Sequence, residues 1–231
     1  MEGPCTSDGE EDEETLQLYA ARRLQLAELP SVDISAVELD SVYEPSDDTF
    51  LLLDALEADR ERLTASAPAI CMEIGCGSGV VITSLSKLLP DSHCLALDIN
   101  ETALAVARRT AELNGRDAAI EFVRGDLLTA LRFFEYRREP SLIDVLIFNP
   151  PYVPSEPDEI GLGCKWAPKL SAAWAGGIAG REVIDRLLPQ FRRCADESIC
   201  CPLFTHAPLI FIKLAVDLLV HAAQFRLLAN R

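Results

Sequence analysis

The sequence predicts an α/β fold built on a mostly parallel, doubly wound sheet. Short apolar runs rich in branched residues alternate with stretches that have the periodicity of amphipathic helices. The predicted strands are Ala69–Ile74, Cys94–Asp98, Ala119–Val123 and Leu142–Phe148. A glycine-rich turn follows the first strand, and an acidic side chain stands at or near the end of each of the first three. Because ligands bind at the carboxyl ends of the strands in such sheets, we expect the functional site there.

Helical patterns fill the segments between these strands and after them. The predicted helices are Thr15–Leu29, a helix that begins at Ser46, Val80–Leu89, Glu101–Asn114, Leu127–Tyr136 and one from Val183 to Phe191. A length of 231 residues is typical of one domain with a substantial core. We therefore expect three parts: an acidic, disordered leader over residues 1–41, the folded core over 42–191, and a C-terminal segment over 192–231.

The net charge of −16 is concentrated at the N-terminus. Residues 1–48 hold 14 acidic side chains against Arg22 and Arg23, whereas the other 183 residues hold 23 acidic and 19 basic ones. The folded body is therefore only mildly acidic, and the sequence has no basic stripe of the kind that binds phosphate backbones. Unaided nucleic-acid binding is thus disfavoured.

Several other classes of protein are disfavoured by what the sequence contains. The longest apolar stretch, 208–223, is interrupted by charges and falls short of the roughly 18 uncharged residues of a membrane span. The first residues lack the pattern of a secretory signal, so we expect a cytosolic or nuclear location. The eight cysteines show no zinc-binding spacing, so we expect reduced, mostly buried thiols and no metal site.

The turn after the first strand indicates the class of cofactor. Gly75, Gly77 and Gly79 follow Glu73 on the strand, which gives the order G-x-G-x-G. Glycines allow a sharp turn and a close approach of ligand to backbone. A nicotinamide dinucleotide site has its third glycine one residue later, so a nicotinamide-dependent oxidoreductase is a weak alternative. The pattern is instead typical of S-adenosylmethionine, whose cationic groups suit the Glu73 carboxylate.

Further cofactor contacts are expected at the next two strand ends. Asp98 closes the second strand, where a carboxylate can accept hydrogen bonds from both ribose hydroxyls. Asp126 follows the third strand and can accept a proton from an adenine amine, while Leu127 covers the ring. Thr49 lies in the first turn of a helix capped by Ser46, where its hydroxyl can meet a ligand carboxylate. An ordinary capped helix explains Ser46 equally well and leaves Thr49 open.

The fourth strand ends in Asn149, Pro150, Pro151 and Tyr152, the candidate catalytic residues. The Asn149 side-chain carbonyl and a fixed proline carbonyl can each accept one N–H of a planar amino group, and Tyr152 can stack on it. Holding both hydrogens frees the nitrogen lone pair for attack without a strong base. The alternative is that Asn-Pro-Pro-Tyr is only a strand-ending turn.

These motifs together resemble the eukaryotic branch of the HemK-like glutamine methyltransferases. The resemblance extends from about Val42 to about Phe191. It is carried by Tyr43–Leu56, Glu73–Gly79, Asn149–Val153, Ala173–Gly177 and Gly180–Glu182.

The resemblance implies a class I S-adenosylmethionine-dependent methyltransferase fold, Rossmann-like and seven-stranded. It also implies transfer of a methyl group to the side-chain amide of a glutamine in a translation termination factor, with Asn149–Val153 holding the substrate. A heterodimer with a small zinc-binding activator protein is implied as well. The residues expected to contact the cofactor by this resemblance are Thr49, Glu73, Gly75, Asp98, Asp126, Leu127 and Asn149.

The residues alone leave the acceptor nitrogen open among glutamine, lysine and adenine, and relatives have been linked to histone lysine and DNA adenine. A tetrahedral lysine amine gains least from a clamp for a planar group. After Phe191 the sequence departs from the family, and only one strand, Leu209–Lys213, is predicted there. We therefore expect altered or missing C-terminal strands. An inactive splice-type variant that binds only cofactor or partner is the alternative to an active enzyme.

Overall fold

The computed structural model describes residues 29–129, 143–156, 159 and 170–192. The predicted strand at Leu209–Lys213 lies outside these residues, as do almost all of the predicted helix at Thr15–Leu29 and most of the one at Leu127–Tyr136. The first part of the predicted leader and nearly all of the predicted C-terminal segment are likewise outside them.

The described elements alternate as the sequence predicts. The helices are α1 (Asp47–Ala58), α2 (Arg60–Ser66), α3 (Val80–Leu88), α4 (Glu101–Leu113) and α5 (Glu182–Arg192). The strands are β1 (Ile70–Ile74), β2 (His93–Asp98), β3 (Ile120–Arg124) and β4 (Val145–Phe148). Short 3₁₀ turns lie at Glu38–Asp40, Asp117–Ala119 and Leu170–Ala173.

The described strands form one sheet in the order β3-β2-β1-β4, and every pairing is parallel. Glu73 on the central strand β1 pairs with Ala96 on β2 and Ile147 on β4. Asp98 pairs with Arg124 at the end of β3. The prediction of a parallel α/β sheet is therefore confirmed, and the acid-bearing ends of β1, β2 and β3 lie along one edge.

Both faces of the sheet are covered, because alternate strand residues point to opposite sides. On one face, Cys71, Ala96 and Ile147 pack with apolar residues of α1, α3 and α4. On the other face, Met72, Leu97 and Leu146 pack with Leu128 and with Leu187 of α5. The central strands are thus buried on both sides, as their continuous apolar runs predict.

The fourth strand begins later than the sequence predicts, at Val145 rather than Leu142. Asp144 precedes it, and its carboxylate accepts hydrogen bonds from the backbone amides of Ala69 and Ile70 at 2.8 and 3.0 Å. The side chain of Asp144 therefore ties the start of β4 to β1 just before regular strand pairing begins.

Gly79 at the start of α3 has a packing role. Its φ is +78°, and a Cβ at this position would lie 2.7 Å from Ala107 on α4. The residue lets the two helices approach closely. Among the described residues, no helix is long and apolar enough to cross a membrane.

Candidate active site

A cavity of about 200 Å³ lies at the carboxyl edge of the sheet. All four described strands contribute to it through the residues at or just after their ends, and α1, α3 and α5 close its sides. Its lining includes Tyr43, Asp48, Thr49, Glu73, Gly75, Gly77, Asp98, Asn100, Gly125, Asp126, Leu127, Phe148, Asn149, Pro151, Ala172, Val183 and Arg186.

Glu73 supplies an acidic group deep in this cavity. Its side chain is only 3% exposed, and its Oε2 has no hydrogen-bond partner among the described residues. Burial raises the pKa of Glu73 well above its ordinary value, a hydrogen bond from the Ile82 amide opposes this, and nearby Asp98 raises it further. A buried carboxyl with one unpartnered oxygen suits a cationic ligand, which would offset the cost of burial.

Asp98, the last residue of β2, lines the same cavity and is hydrogen-bonded to the glycine turn. The backbone amide of Gly77 donates to Asp98 Oδ2 at 2.9 Å, and that of Asn100 donates to Oδ1 at 2.8 Å. Gly75 and Gly77 have φ values of +68° and +51°, and nothing lies within 4 Å of a Cβ built on Gly77. The turn is therefore left-handed and open toward a ligand, and it fixes the orientation of the carboxylate. Burial raises the pKa of Asp98 despite these hydrogen bonds.

Asp126 lies at the cavity wall in a contact that the sequence did not suggest. Arg186 of α5 donates to both of its carboxylate oxygens, at 2.7 and 2.6 Å. The predicted acceptor for an adenine amine is thus already paired with a cation, although a carboxylate retains further acceptor sites. The next residue, Leu127, has a φ of +52°. A leucine in this left-handed region is strained, which is common where a binding site fixes the backbone.

Thr49 lies in the first turn of α1 and lines the cavity beside Asp48. Its hydroxyl accepts a hydrogen bond from the Ser46 amide at 3.3 Å, so it also helps to cap the helix. The two interpretations of the sequence at this position, cap and ligand contact, are therefore compatible.

The Asn-Pro-Pro-Tyr segment is only partly exposed to the cavity. Asn149 and Pro151 line it. Pro150, which is buried, and Tyr152, which is half-buried, both lie outside the lining. Burial raises the pKa of Tyr152, with contributions from nearby Asp48 and Tyr43. Val153 is 39% exposed and also lies outside the lining. Gly79 is likewise outside it, since it packs on α4 instead.

A second segment, 174–180, holds the backbone of the Asn-Pro-Pro-Tyr segment in place. The amide of Val153 donates to the Trp174 carbonyl at 2.9 Å, and the amide of Gly176 donates to the Val153 carbonyl at 2.8 Å. A Cβ on Gly180 would lie 2.3 Å from the carbonyl oxygen of Tyr152. This close approach explains why glycine stands there in the Gly180–Glu182 motif.

The structure adds residues to the site that sequence reasoning missed. Asp48 accepts a hydrogen bond from the Asn149 amide, and Arg186 pairs with Asp126. Asn100 caps α4 through the Thr102 amide, and its own amide donates to the Ser41 carbonyl at 2.8 Å. It thereby ties the Ser41–Tyr43 segment to the cavity edge. The acidic pair at the start of α1 was the available signal for Asp48.

The described residues fit S-adenosylmethionine on chemical grounds. The cavity is lined by Glu73, whose Oε2 has no partner among the described residues, and by Asp98, whose carboxylate accepts hydrogen bonds from backbone amides. The glycine turn beside them is open toward a ligand. No cluster of His, Cys, Asp or Glu suited to a metal ion occurs among the residues described. Asn149 follows β4, the strand that pairs with β1, so it lies beside the glycine turn at the same sheet edge and lines the same cavity.

Comparison with known proteins places the chain in a family. The sequence model of the methyltransferase small domain matches residues 42–162. Methyltransferase HEMK2 of Homo sapiens is 44% identical over 149 residues, 64% of this chain and 64% of that protein. The eRF1 methyltransferase catalytic subunit mtq2 of Schizosaccharomyces pombe is 38% identical over 162 residues, 67% and 68% of the two chains.

A bacterial relative is also similar. The release factor glutamine methyltransferase of Chlorobaculum tepidum is 37% identical over 121 residues, 50% of this chain and 39% of that protein. The chain thus spans just under two thirds of the length of the human relative. The range of the family model covers the glycine turn, the acid-bearing strand ends and the Asn-Pro-Pro-Tyr segment. The chain belongs to the methyltransferase small domain family, and its relatives include HEMK2 and the eRF1 methyltransferases.

Proposed function

We propose that this chain is an S-adenosylmethionine-dependent N-methyltransferase that methylates the side-chain amide of a glutamine in a translation termination factor. One observation carries the proposal: Asn149 lines the same cavity as Glu73 and Asp98, so carboxyl groups suited to a cationic donor and an amide suited to a hydrogen-bearing nitrogen share one site. The choice of a release factor glutamine as acceptor is supported by the names of two relatives, the eRF1 methyltransferase subunit and the release factor glutamine methyltransferase.

The proposed cofactor site divides its work among the strand ends. Glu73 receives the positive end of the cofactor, which supplies an electrophilic methyl group when bound. Asp98 accepts the ribose hydroxyls, and Asp126 with Leu127 frames the adenine. Thr49, Gly75 and Gly77 line the path between these groups. Gly79 supports the site indirectly, since it sets the position of α3.

The acceptor amide is held by Asn149 and its neighbours. The Asn149 side-chain oxygen takes one N–H of the amide and the proline backbone takes the other, which turns the lone pair toward the donor. Tyr152 and Val153 extend the substrate contact beyond the cavity. Because this clamp suits a planar nitrogen, glutamine fits better than lysine. Adenine has the same geometry, but the sequence has no basic stripe of the kind that binds a nucleic acid.

A partner and a location complete the proposal. Strands β3 and β4 are the two edges of the described sheet, and such an edge is suited to covering by another protein. We assign this role to a small zinc-binding activator subunit. We place the enzyme in the cytoplasm, where termination factors are made and used, and also in the nucleus.

An Asn149→Ala variant tests whether Asn149 acts on the acceptor and not on cofactor binding. Removal of the clamp should lower the rate of methyl transfer by about 100- to 1,000-fold, because one hydrogen bond to the reacting group is lost. Calorimetric titration with S-adenosylmethionine should still show binding within a few-fold of the unmodified chain. Full transfer by the variant would refute the role of Asn149. If neither chain binds S-adenosylmethionine, the assignment of this cofactor is refuted.

A further inference from the structure

The Asn149 side chain makes a long-range contact that sets its orientation. Its Nδ2 donates to Oδ2 of Asp48 at 3.0 Å, across 101 positions of sequence. Both residues line the cavity, so the contact lies at the site rather than in the protein interior. It joins the start of α1 to the end of β4.

The chemistry of the two groups allows only one orientation. A carboxylate can only accept hydrogen bonds, whereas an amide has a donating nitrogen and an accepting oxygen. The Asn149 nitrogen must therefore face Asp48, which leaves its Oδ1 on the other side of the planar amide. A flipped amide would set its oxygen against the Asp48 carboxylate, which is electrostatically unfavourable.

Asp48 is itself fixed by its neighbour. Its other oxygen, Oδ1, accepts the backbone amide of Thr49 at 2.8 Å. One carboxylate oxygen is thus held by the first turn of α1, and the other holds Asn149. The half-buried side chain has little freedom to move away, because each oxygen already has a partner.

We propose that Asp48 is a positioning residue that fixes the Asn149 amide with its carbonyl oxygen toward the acceptor nitrogen. This inference rests on the proposed function, since the orientation matters only if Asn149 receives an N–H of the acceptor. Without Asp48 the amide can rotate, and in its flipped orientation its NH₂ group faces the NH₂ group of the acceptor. Acceptors with two hydrogens on a planar nitrogen are selected by this arrangement.

Kinetics of the full chain with three variants test the proposal. Asp48→Ala should lower kcat by about 10- to 100-fold, as expected when a reacting group is misplaced. Its cofactor Kd should stay within about two-fold of the unmodified chain, because the amide orientation affects the acceptor. Asp48→Asn keeps an accepting oxygen and should recover part of the loss.

Asp47→Ala is the matched control. Asp47 is exposed in the same helical turn, so this variant removes an equal charge near the helix start without touching Asn149. A kcat for Asp48→Ala equal to that of Asp47→Ala would overturn the proposal. So would a loss explained entirely by weaker cofactor binding.

A second readout does not depend on transfer. In ¹⁵N-labelled protein, the side-chain NH₂ resonances of Asn149 should shift in Asp48→Ala and remain in place in Asp47→Ala, because only the first variant removes their acceptor. Unchanged resonances would overturn the contact. If the unmodified chain transfers no methyl group, the proposed function fails, while this measurement still decides whether Asp48 orients the amide.

Discussion

Glu73 is the residue on which the electrostatics of the site depend. Its carboxyl is buried, one oxygen has no partner in the described part of the chain, and Asp98 stands nearby. Burial disfavours the charged form of this carboxyl, which is why its pKa is raised. A bound cation reverses the preference, since it gives the charged form a partner. The burial of the Glu73 carboxyl, which lowers the stability of the folded chain without ligand, therefore strengthens cofactor binding.

This residue predicts how stability changes with pH in the absence of ligand. The pKa of Glu73 is raised above its ordinary value of 4.5. At pH values between 4.5 and that raised pKa, the folded chain therefore holds a proton that the unfolded chain has lost. The free energy of unfolding should therefore fall as pH rises above about 4.5, by up to about 1.4 kcal/mol per pH unit for one group. Urea denaturation at a series of pH values measures this slope.

Glu73→Gln tests the assignment of that slope to one residue. The variant keeps the shape of the protonated acid, so its stability should depend less steeply on pH, and the remaining slope belongs to groups such as Asp98. Its affinity for S-adenosylmethionine should drop at least about tenfold, because a charged partner is lost. An unchanged slope together with unchanged affinity would show that Glu73 does not meet the cation.

The loop after β4 and the glycine segment 174–180 act as one structural unit. Their backbones are hydrogen-bonded at Val153, and Gly180 lies against the carbonyl of Tyr152. Because the substrate segment has few regular strand contacts of its own, its position depends on this neighbour. A change in the glycine segment should therefore act on transfer more than on cofactor binding.

Gly180→Ala measures this dependence. The added Cβ would displace the Tyr152 carbonyl, and a shift of about 1 Å at a reacting group can cost about 100-fold in rate. Gly115→Ala is the matched control, since Gly115 has a similar φ of +65° with nothing within 4 Å of an added Cβ. Both variants should lose about 1–2 kcal/mol of stability from left-handed strain. Gly180→Ala should lose more than Gly115→Ala, because its added Cβ also collides with the Tyr152 carbonyl.

The two variants should differ in activity, as measured by initial rates at saturating cofactor. Gly180→Ala should transfer the methyl group much more slowly than Gly115→Ala, although both bind S-adenosylmethionine. Equal rates in the two variants would mean that the glycine segment does not position the substrate loop.

On the scale of the whole molecule, the sheet was predictable because each strand is a short, mostly apolar run with a local stop signal. The ends of β1, β2 and β3 could be placed by Glu73, Asp98 and Asp126, since side chains at neighbouring parallel ends must converge. The glycine spacing selects the class of cofactor.

The contacts that complete the site could not be predicted from the sequence. Arg186 pairs with Asp126 across 60 positions and Asp48 with Asn149 across 101, and no local pattern encodes either distance. The packing role of Gly79 was hidden for a similar reason. A glycine that faces a ligand and one that faces a neighbouring helix look alike in sequence, and only the position of Ala107 separates them.

Mass spectrometry of an acceptor peptide tests the central proposal most directly. The full chain would be incubated with S-adenosylmethionine and a glutamine-containing release factor peptide, with and without the zinc-binding activator subunit. Asn149→Ala provides the inactive control. We predict one added methyl group on the glutamine side chain with the unmodified chain and none with the variant. No methylation in the presence of cofactor and activator, or a methyl group found only on lysine, would contradict the proposal.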